Sequence, residues 1–100
     1  MKKFKIKILS QIFEVEEAAF KDDEEELCFG EIEFEKNRIL INRDTSEERK
    51  EVTLLHEILH SVFQQLGFKE ENDNEHLICS LSEALMMIVK ENPKLFAFFT

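Results

Sequence analysis

The chain contains few of the residues that interrupt regular structure. It has two glycines and one proline in 100 residues, and it has neither tyrosine nor tryptophan. It also has no run of about eighteen apolar residues, the length that a helix needs to cross a bilayer. With 43% hydrophobic residues, ten of them phenylalanine, it does not have the composition of a disordered chain. We therefore predict one packed domain spanning residues 1–100.

Positive charge is also scarce. The chain carries 22 acidic and 13 basic residues, for a formal net charge of −9. Proteins that bind nucleic acids normally present a basic face to the phosphates, so we expect neither nucleic acid nor an anionic membrane as a partner. No continuous apolar signal segment follows the basic start, and Cys28 and Cys79 are the only cysteines. We expect them to be free, buried thiols in a cytoplasmic protein.

The first part of the chain alternates between apolar and polar residues, which predicts two β-hairpins. A turn at Ser10 and Gln11 separates the strands of the first hairpin, and a turn at Lys36 and Asn37 separates those of the second. The alternating apolar positions are Phe4, Ile6, Ile8, Phe13, Val15, Ile32, Phe34, Ile39 and Ile41. Gly30 lies inside a predicted strand, which favours a local irregularity over a bulge or the close approach of another backbone. The acidic stretch between the hairpins, with Phe20, predicts a solvated loop or short helix.

From Asp44 onward the apolar period becomes helical. The first predicted helix ends at Gly67 and begins with Thr45 and Glu48 as a possible capping box. After a polar loop, the second runs from about Glu75 to Asn92 and is stopped by Pro93. The predicted inward-facing residues are Val52, Leu55, Leu59, Val62 and Leu66 in the first helix, and Leu77, Ile78, Leu81, Leu85 and Ile88 in the second.

These elements predict an α+β fold in which N-terminal antiparallel hairpins pack on two main helices. The apolar tail, residues 94–100, is expected to pack back onto the domain rather than to form a dimer contact.

The stretch TLLHEILHSVF carries the residues that are best suited to binding a metal or to catalysis. His56, Glu57 and His60 match the pattern H-E-x-x-H, in which a helix places both imidazoles on one face so that they can bind one metal ion. The structural alternative is that the two histidines only pack beside the apolar stripe. The glutamate between them, together with acids on the following helix, favours a metal site.

Two histidines make only half of a tetrahedral zinc site, so a third ligand is required. The metzincin pattern would need glycine and histidine where this chain has Phe63 and Leu66, which excludes that class. A carboxylate from a second helix is the other common solution. Glu75 is the first candidate, and the alternatives left open are His76, Glu83 and Cys79.

The motif, the acidic loop and the stretch NEHLICSLSEALMMIVKENP resemble small phage and prophage members of the ImmA/IrrE-type metallopeptidases, which are compact gluzincin-like domains. The likeness extends over about residues 27–95. It implies a minimal zincin-like domain in which His56, His60 and Glu75 bind Zn²⁺ and Glu57 is the catalytic base. Larger relatives cleave repressor proteins, so the resemblance suggests a regulatory peptide or protein as substrate.

For such an enzyme, His76 is the candidate donor to the oxyanion by elimination, because the chain has no tyrosine. An extended peptide adding to the exposed strand at residues 30–34 is the expected mode of substrate binding. The alternative is a non-catalytic, phage-encoded interaction module that retains a zinc site, since the chain is short and shows no substrate domain.

Overall fold

The computed structural model describes residues 3–20 and 29–100, so Cys28 and most of the predicted acidic connection lie outside the described residues. The strands are β1 (Lys3–Ile8), β2 (Gln11–Ala18), β3 (Gly30–Glu33) and β4 (Arg38–Asn42). The helices are α1 (Glu47–Leu66), α2 (Lys69–Asn72), α3 (Glu75–Glu91) and α4 (Leu95–Phe99). The predicted α+β fold class is confirmed. Within the described ranges, no helix combines the length and the apolar character that crossing a bilayer requires.

The two predicted hairpins are present, and they join into one four-stranded sheet. Strand β1 pairs antiparallel with β2, and β3 pairs antiparallel with β4. The strand order is β1-β2-β4-β3, because β2 and β4 pair in parallel from Glu14↔Arg38 to Ala18↔Asn42. The sheet is therefore mixed rather than built from antiparallel pairs alone, and β3 lies at its edge. Alternation within a strand indicates which side is buried but not which strand lies next to it.

The alternating residues of the strands form the core on one face of the sheet. The buried cluster consists of Ile8, Phe13, Val15, Ile39 and Ile41, and the partly buried residues packed against it are Ile6, Ile32, Phe34, Leu54, Ile58 and Val62. Phe4, at the start of β1, is exposed instead. Because Leu54, Ile58 and Val62 belong to α1, this helix covers that face of the sheet.

Gln65 connects α1 to the turn of the first hairpin. Its Nε2 donates to the carbonyl of Ile8 at 2.8 Å, and its Oε1 accepts from the backbone N–H of Ser10 at 3.2 Å and from the Ser10 hydroxyl at 2.9 Å. Leu9, the residue between them, has a φ of 54°. The second turn places Asn37 at a φ of 49°, a conformation that asparagine tolerates better than most residues.

The N-cap of α1 lies one residue later than predicted. The N-cap is Ser46, whose hydroxyl accepts from the N–H of Arg49 at 3.1 Å. The predicted capping box of Thr45 and Glu48 is wrong, because the Thr45 hydroxyl donates to the carbonyl of Asn42 instead. The predicted end is correct, since Gly67 caps the helix with a φ of 80°.

The predicted apolar stripe of α1 is also displaced. Its buried residues are Thr53, Glu57 and Ser61, whereas Leu66 is 56% exposed. The helix packs against the sheet on one side and α3 on another, so its most enclosed line runs between two apolar faces. Small and polar side chains along that line allow both neighbours to approach closely.

Helix α3 has the predicted bounds, and the side chain of Asn74 caps it by accepting from the N–H of Leu77. Of its predicted inward residues Ile78 is buried, whereas Leu85 and Ile88 are exposed. The expectation that the tail packs back is wrong: Phe96, Phe98 and Phe99 in the tail are 62%, 85% and 69% exposed. Helix α3 packs chiefly on α1 and α2, so its opposite side has no covering element among the described residues.

Candidate metal centre

Antiparallel packing of α1 and α3 assembles the site. Lys90 near the end of α3 pairs with Glu51 near the start of α1 at 2.6 Å, and Glu75 at the start of α3 lies against the two histidines farther along α1. Glu75 occupies the first turn of α3, and its carboxylate reaches both histidines from there. The predicted polar loop that joins the two helices contains the short helix α2.

The two histidines occupy adjacent turns on one face of α1. Their rings meet edge to face, with centroids 4.8 Å apart and an interplanar angle of 66°. Both residues are partly buried, and burial lowers the pKa of His56, against the opposing influence of the Glu75 carboxylate. A lowered pKa favours the neutral imidazole, which is the form that binds metals.

The carboxylate of Glu75 lies between the two imidazoles. Its Oε2 is 3.3 Å from Nε2 of His56, and its Oε1 is 2.8 Å from Nε2 of His60. Two ligand atoms of one tetrahedral zinc ion are separated by about 3.3 Å, given bond lengths near 2.0–2.1 Å. Two imidazoles and one carboxylate are also a ligand set that catalytic zinc uses. The donor types at this point therefore suit a divalent metal ion such as zinc.

Glu57 is buried beside the histidines, with only 5% of its surface exposed. The loss of solvent raises the pKa of this carboxyl to about 7, with nearby Glu75 and Glu31 adding to the effect and His60 opposing it. Ligand atoms of Glu57 and both histidines lie within 4.8 Å of one another. A carboxyl with a pKa near neutrality is suited to both accepting and releasing a proton.

Gly30 at the start of β3 leaves space for Glu57. A Cβ atom at this position would lie 2.5 Å from Cγ2 of Thr53, 2.9 Å from the carbonyl oxygen of Leu40 and 3.4 Å from Oε2 of Glu57. The glycine thus marks the close approach of strand and helix, and the favoured reading as a mere irregularity is wrong. The edge strand consequently lies directly against the helix that carries the motif.

Cys79, Glu83 and His76 are the other predicted site residues. Cys79 is a free, exposed thiol with Sγ 3.8 Å from Nδ1 of His56, and it forms a second possible ligand group with His56 and Glu75. The expectation of a buried thiol is wrong for this cysteine. Glu83 faces Arg49, at 3.8 Å. The side chain of His76 is exposed.

Asn72 is a site residue that the sequence did not reveal. Its Oδ1 lies 2.7 Å from Nδ1 of His60, on the opposite side of the ring from Glu75. The only signal in the sequence was an amide side chain in a polar segment twelve residues after the histidine. Its position depends on how the chain turns after Gly67.

The α+β fold and the cluster of His56, Glu57, His60 and Glu75 define a candidate metal centre of the H-E-x-x-H type. The chain belongs to the IrrE N-terminal-like domain family, Peptidase_M78, whose match covers residues 1–88. This is a family of metallopeptidases, in agreement with the resemblance seen in the sequence. Neither the curated proteins nor the solved structures gave a match.

Proposed function

We propose that the protein is a zinc-dependent metallopeptidase that hydrolyses peptide bonds at the cluster on α1 and α3. In this proposal His56, His60 and Glu75 hold the ion, and Glu57 is the general base. The observation that carries it is the convergence of both Nε2 atoms on one carboxylate, beside a buried glutamate. The metallopeptidase family gives independent support.

Zinc at this point would polarise the scissile carbonyl and lower the pKa of the attacking water. The carboxylate of Glu57 accepts a proton from the water as its oxygen bonds to the carbonyl carbon. When the carbon–nitrogen bond breaks, Glu57 returns the proton to the leaving amine. The burial that raises the pKa of Glu57 makes this carboxyl a stronger base than an exposed one, although a nearby cation would lower that pKa.

The remaining parts of the proposal concern the substrate. Strand β3 is an edge of the described sheet, so we propose that an extended peptide adds to it as a further strand. Gly30 in this strand lies close to Glu57. His76 is proposed as the donor to the oxyanion, because its exposed ring lies one residue from Glu75. The substrate is then a peptide or protein segment that can become extended, with a regulatory protein such as a repressor as the candidate class.

The test compares wild-type protein with Glu57→Gln, both loaded with zinc and both checked for zinc content. Wild type should cleave members of a broad peptide library, while Glu57→Gln should bind the same amount of zinc and lose at least about 100-fold in kcat/KM. Cleavage at equal rates would exclude Glu57 as the base. Zinc binding without cleavage by wild type would instead support an interaction module that has kept the metal site.

A further inference from the structure

The contact between Asn72 and His60 orients the imidazole ring of His60. Asn72 Oδ1 can only accept, so at 2.7 Å it pairs with an N–H at Nδ1 of His60. A neutral imidazole protonated at Nδ1 presents an unshared electron pair at Nε2, the atom that faces Glu75. The amide of Asn72 thereby selects both the ring orientation and the tautomer that a metal ligand requires.

The amide itself is oriented by a second contact. Its Nδ2 donates to Oε1 of Gln64, at 3.3 Å, and Gln64 lies one turn beyond His60 on α1. This contact places the nitrogen of the amide toward Gln64 and leaves the oxygen for the imidazole. The two contacts therefore link Gln64 and His60, which both lie on α1, through the amide of Asn72.

The backbone after α1 holds Asn72 in place. The N–H of Phe68 donates to the carbonyl of Phe63 at 2.9 Å, and the N–H of Asn72 donates to the carbonyl of Phe68 at 2.9 Å. The rings of Phe63 and Phe68 also pack edge to face, with centroids 6.2 Å apart. These contacts fold the connection back over the last turns of α1, which brings an amide from α2 to the outer side of His60.

The two histidines differ in the hydrogen-bond partner of their Nδ1 atoms. Among the described residues, the hydrogen-bond partner of His56 Nδ1 is the Cys79 thiol, at 3.8 Å, and a thiol is a weak hydrogen-bonding group. His60 is thus the histidine with a strong and oriented partner among the described residues. Deleting that partner should affect metal binding even though Asn72 does not itself face Glu75.

We propose that Asn72 is a positioning residue of the metal centre, which holds His60 so that Nε2 faces the ion. The inference rests on the proposed function, because it assigns a role within the same site. Loss of an outer hydrogen-bond partner of a metal-binding histidine typically lowers metal affinity by about 10- to 100-fold. That range is the expected effect of removing the acceptor at position 72.

The experiment measures zinc affinity by competition with a chromophoric chelator for wild type, Asn72→Leu and Asn72→Asp. The two variants have side chains of similar size, but only aspartate keeps an acceptor for the Nδ1–H. We expect Asn72→Leu to bind zinc about 10- to 100-fold more weakly and Asn72→Asp to stay within a few-fold of wild type or to bind more tightly. Glu71→Ala, an exposed change in the same short helix, is the control and should leave the affinity unchanged.

A second readout follows the imidazole directly. In zinc-loaded wild type, the Nδ1–H proton of His60 should give an NMR signal protected from exchange with water, and this protection should be lost in Asn72→Leu. Far-UV circular dichroism establishes that each variant is folded. If Asn72→Leu does not fold, Asn72→Ala replaces it in both measurements.

The outcomes separate the inference from the proposed function. If wild type binds no zinc, the metal centre itself is refuted. If wild type binds zinc and the variant without an acceptor binds it equally well, the role of Asn72 is refuted and the metal centre stands. A folded Asn72→Asp that loses as much affinity as Asn72→Leu would also refute the role, because it retains the acceptor.

Discussion

Glu57 occupies a position where a charged side chain is costly. It is enclosed between α1 and the edge strand, and its pKa is raised to about 7 because the ionised form is poorly solvated there. In the unfolded chain the same carboxyl has its ordinary pKa of 4.5. The folded state therefore binds a proton more tightly than the unfolded state does. The associated stability is complete below pH 4.5 and is lost as the pH rises through 7.

This shift predicts a pH-dependent effect of Glu57→Gln on stability. Glutamine stays neutral at every pH, so in metal-free protein the variant should gain stability relative to wild type by about 2 kcal/mol between pH 5 and pH 8. Urea denaturation of both proteins with a chelator present measures the difference. A difference that does not change with pH would contradict the raised pKa.

The residues of the cluster were not equally visible in the sequence. His56, Glu57 and His60 could be identified because helical spacing alone places them together. Glu75 could only be ranked first among several residues, since its role depends on how two helices pack. Asn72 could not be found, because a contact that spans a turn after Gly67 leaves no periodic signal.

At the scale of elements, the close contact of β3 with α1 is the feature that brings the edge of the sheet to the motif. It depends on a position without a side chain at Gly30 and on a short side chain at Thr53. The enclosed line of α1 also contains Ser61, another small residue. A larger residue on either partner would separate strand and helix.

Gly30→Ala should therefore lower the free energy of unfolding by about 1–3 kcal/mol, because the added methyl group overlaps Cγ2 of Thr53 and the carbonyl of Leu40. Chemical denaturation measures the loss. Thr53→Ala in the Gly30→Ala background should restore part of it, since the shorter side chain removes one of the overlaps. Glu31→Ala, an exposed change in the same strand, is the control. Equal stability of Gly30→Ala and wild type would show that the strand can move away freely.

The elements themselves were largely predictable, whereas their faces were not. Strand alternation, the Gly67 cap and the stop at Pro93 are local signals, and they gave both hairpins and the C-terminal ends of the two main helices. The buried line of α1 was missed because periodicity finds one apolar face, while this helix contacts two neighbours. Leu85 and Ile88 were predicted to face inward but are exposed, because α3 is covered mainly on one side.

At the scale of the molecule, the candidate metal centre joins α1 to α3 at one end of their contact. The Glu51–Lys90 ion pair joins them at the other end, where both side chains are about half exposed, and such a pair contributes little to stability. A metal ion held by His56, His60 and Glu75 would be a stronger connection. Its removal should loosen the packing of the two helices.

Zinc should therefore stabilise the whole fold. At a free concentration about 100 times its Kd, a ligand that binds only the folded state adds about 2.7 kcal/mol to the free energy of unfolding. For a domain of this size, that increase raises Tm by roughly 10 °C or more. Thermal unfolding with chelator and with zinc measures the shift. The His56→Ala, His60→Ala double variant should show no such shift. Magnesium at the same concentration serves as the ion control, because it prefers oxygen ligands. An equal response to magnesium would indicate nonspecific binding to the acidic surface.

The arrangement of the whole sheet was beyond the reach of sequence patterns. Each hairpin is defined by neighbouring residues and a short turn, but the parallel pairing of β2 with β4 involves strands that are distant in the chain. Nothing in the alternation distinguishes this order from two separate hairpins. The family match defines the class of the domain without showing which strands pair.

The parallel pairing also has a consequence for the folding pathway. Each hairpin can close quickly, because its partner strands are connected by only a few residues. The seam from Glu14↔Arg38 to Ala18↔Asn42 has to close a much longer loop, and the entropy of that closure is lost before the contacts of the core are gained. We therefore expect the kinetic barrier to lie where the two hairpins meet. Changes along this seam should alter the rate of folding more than changes within either hairpin.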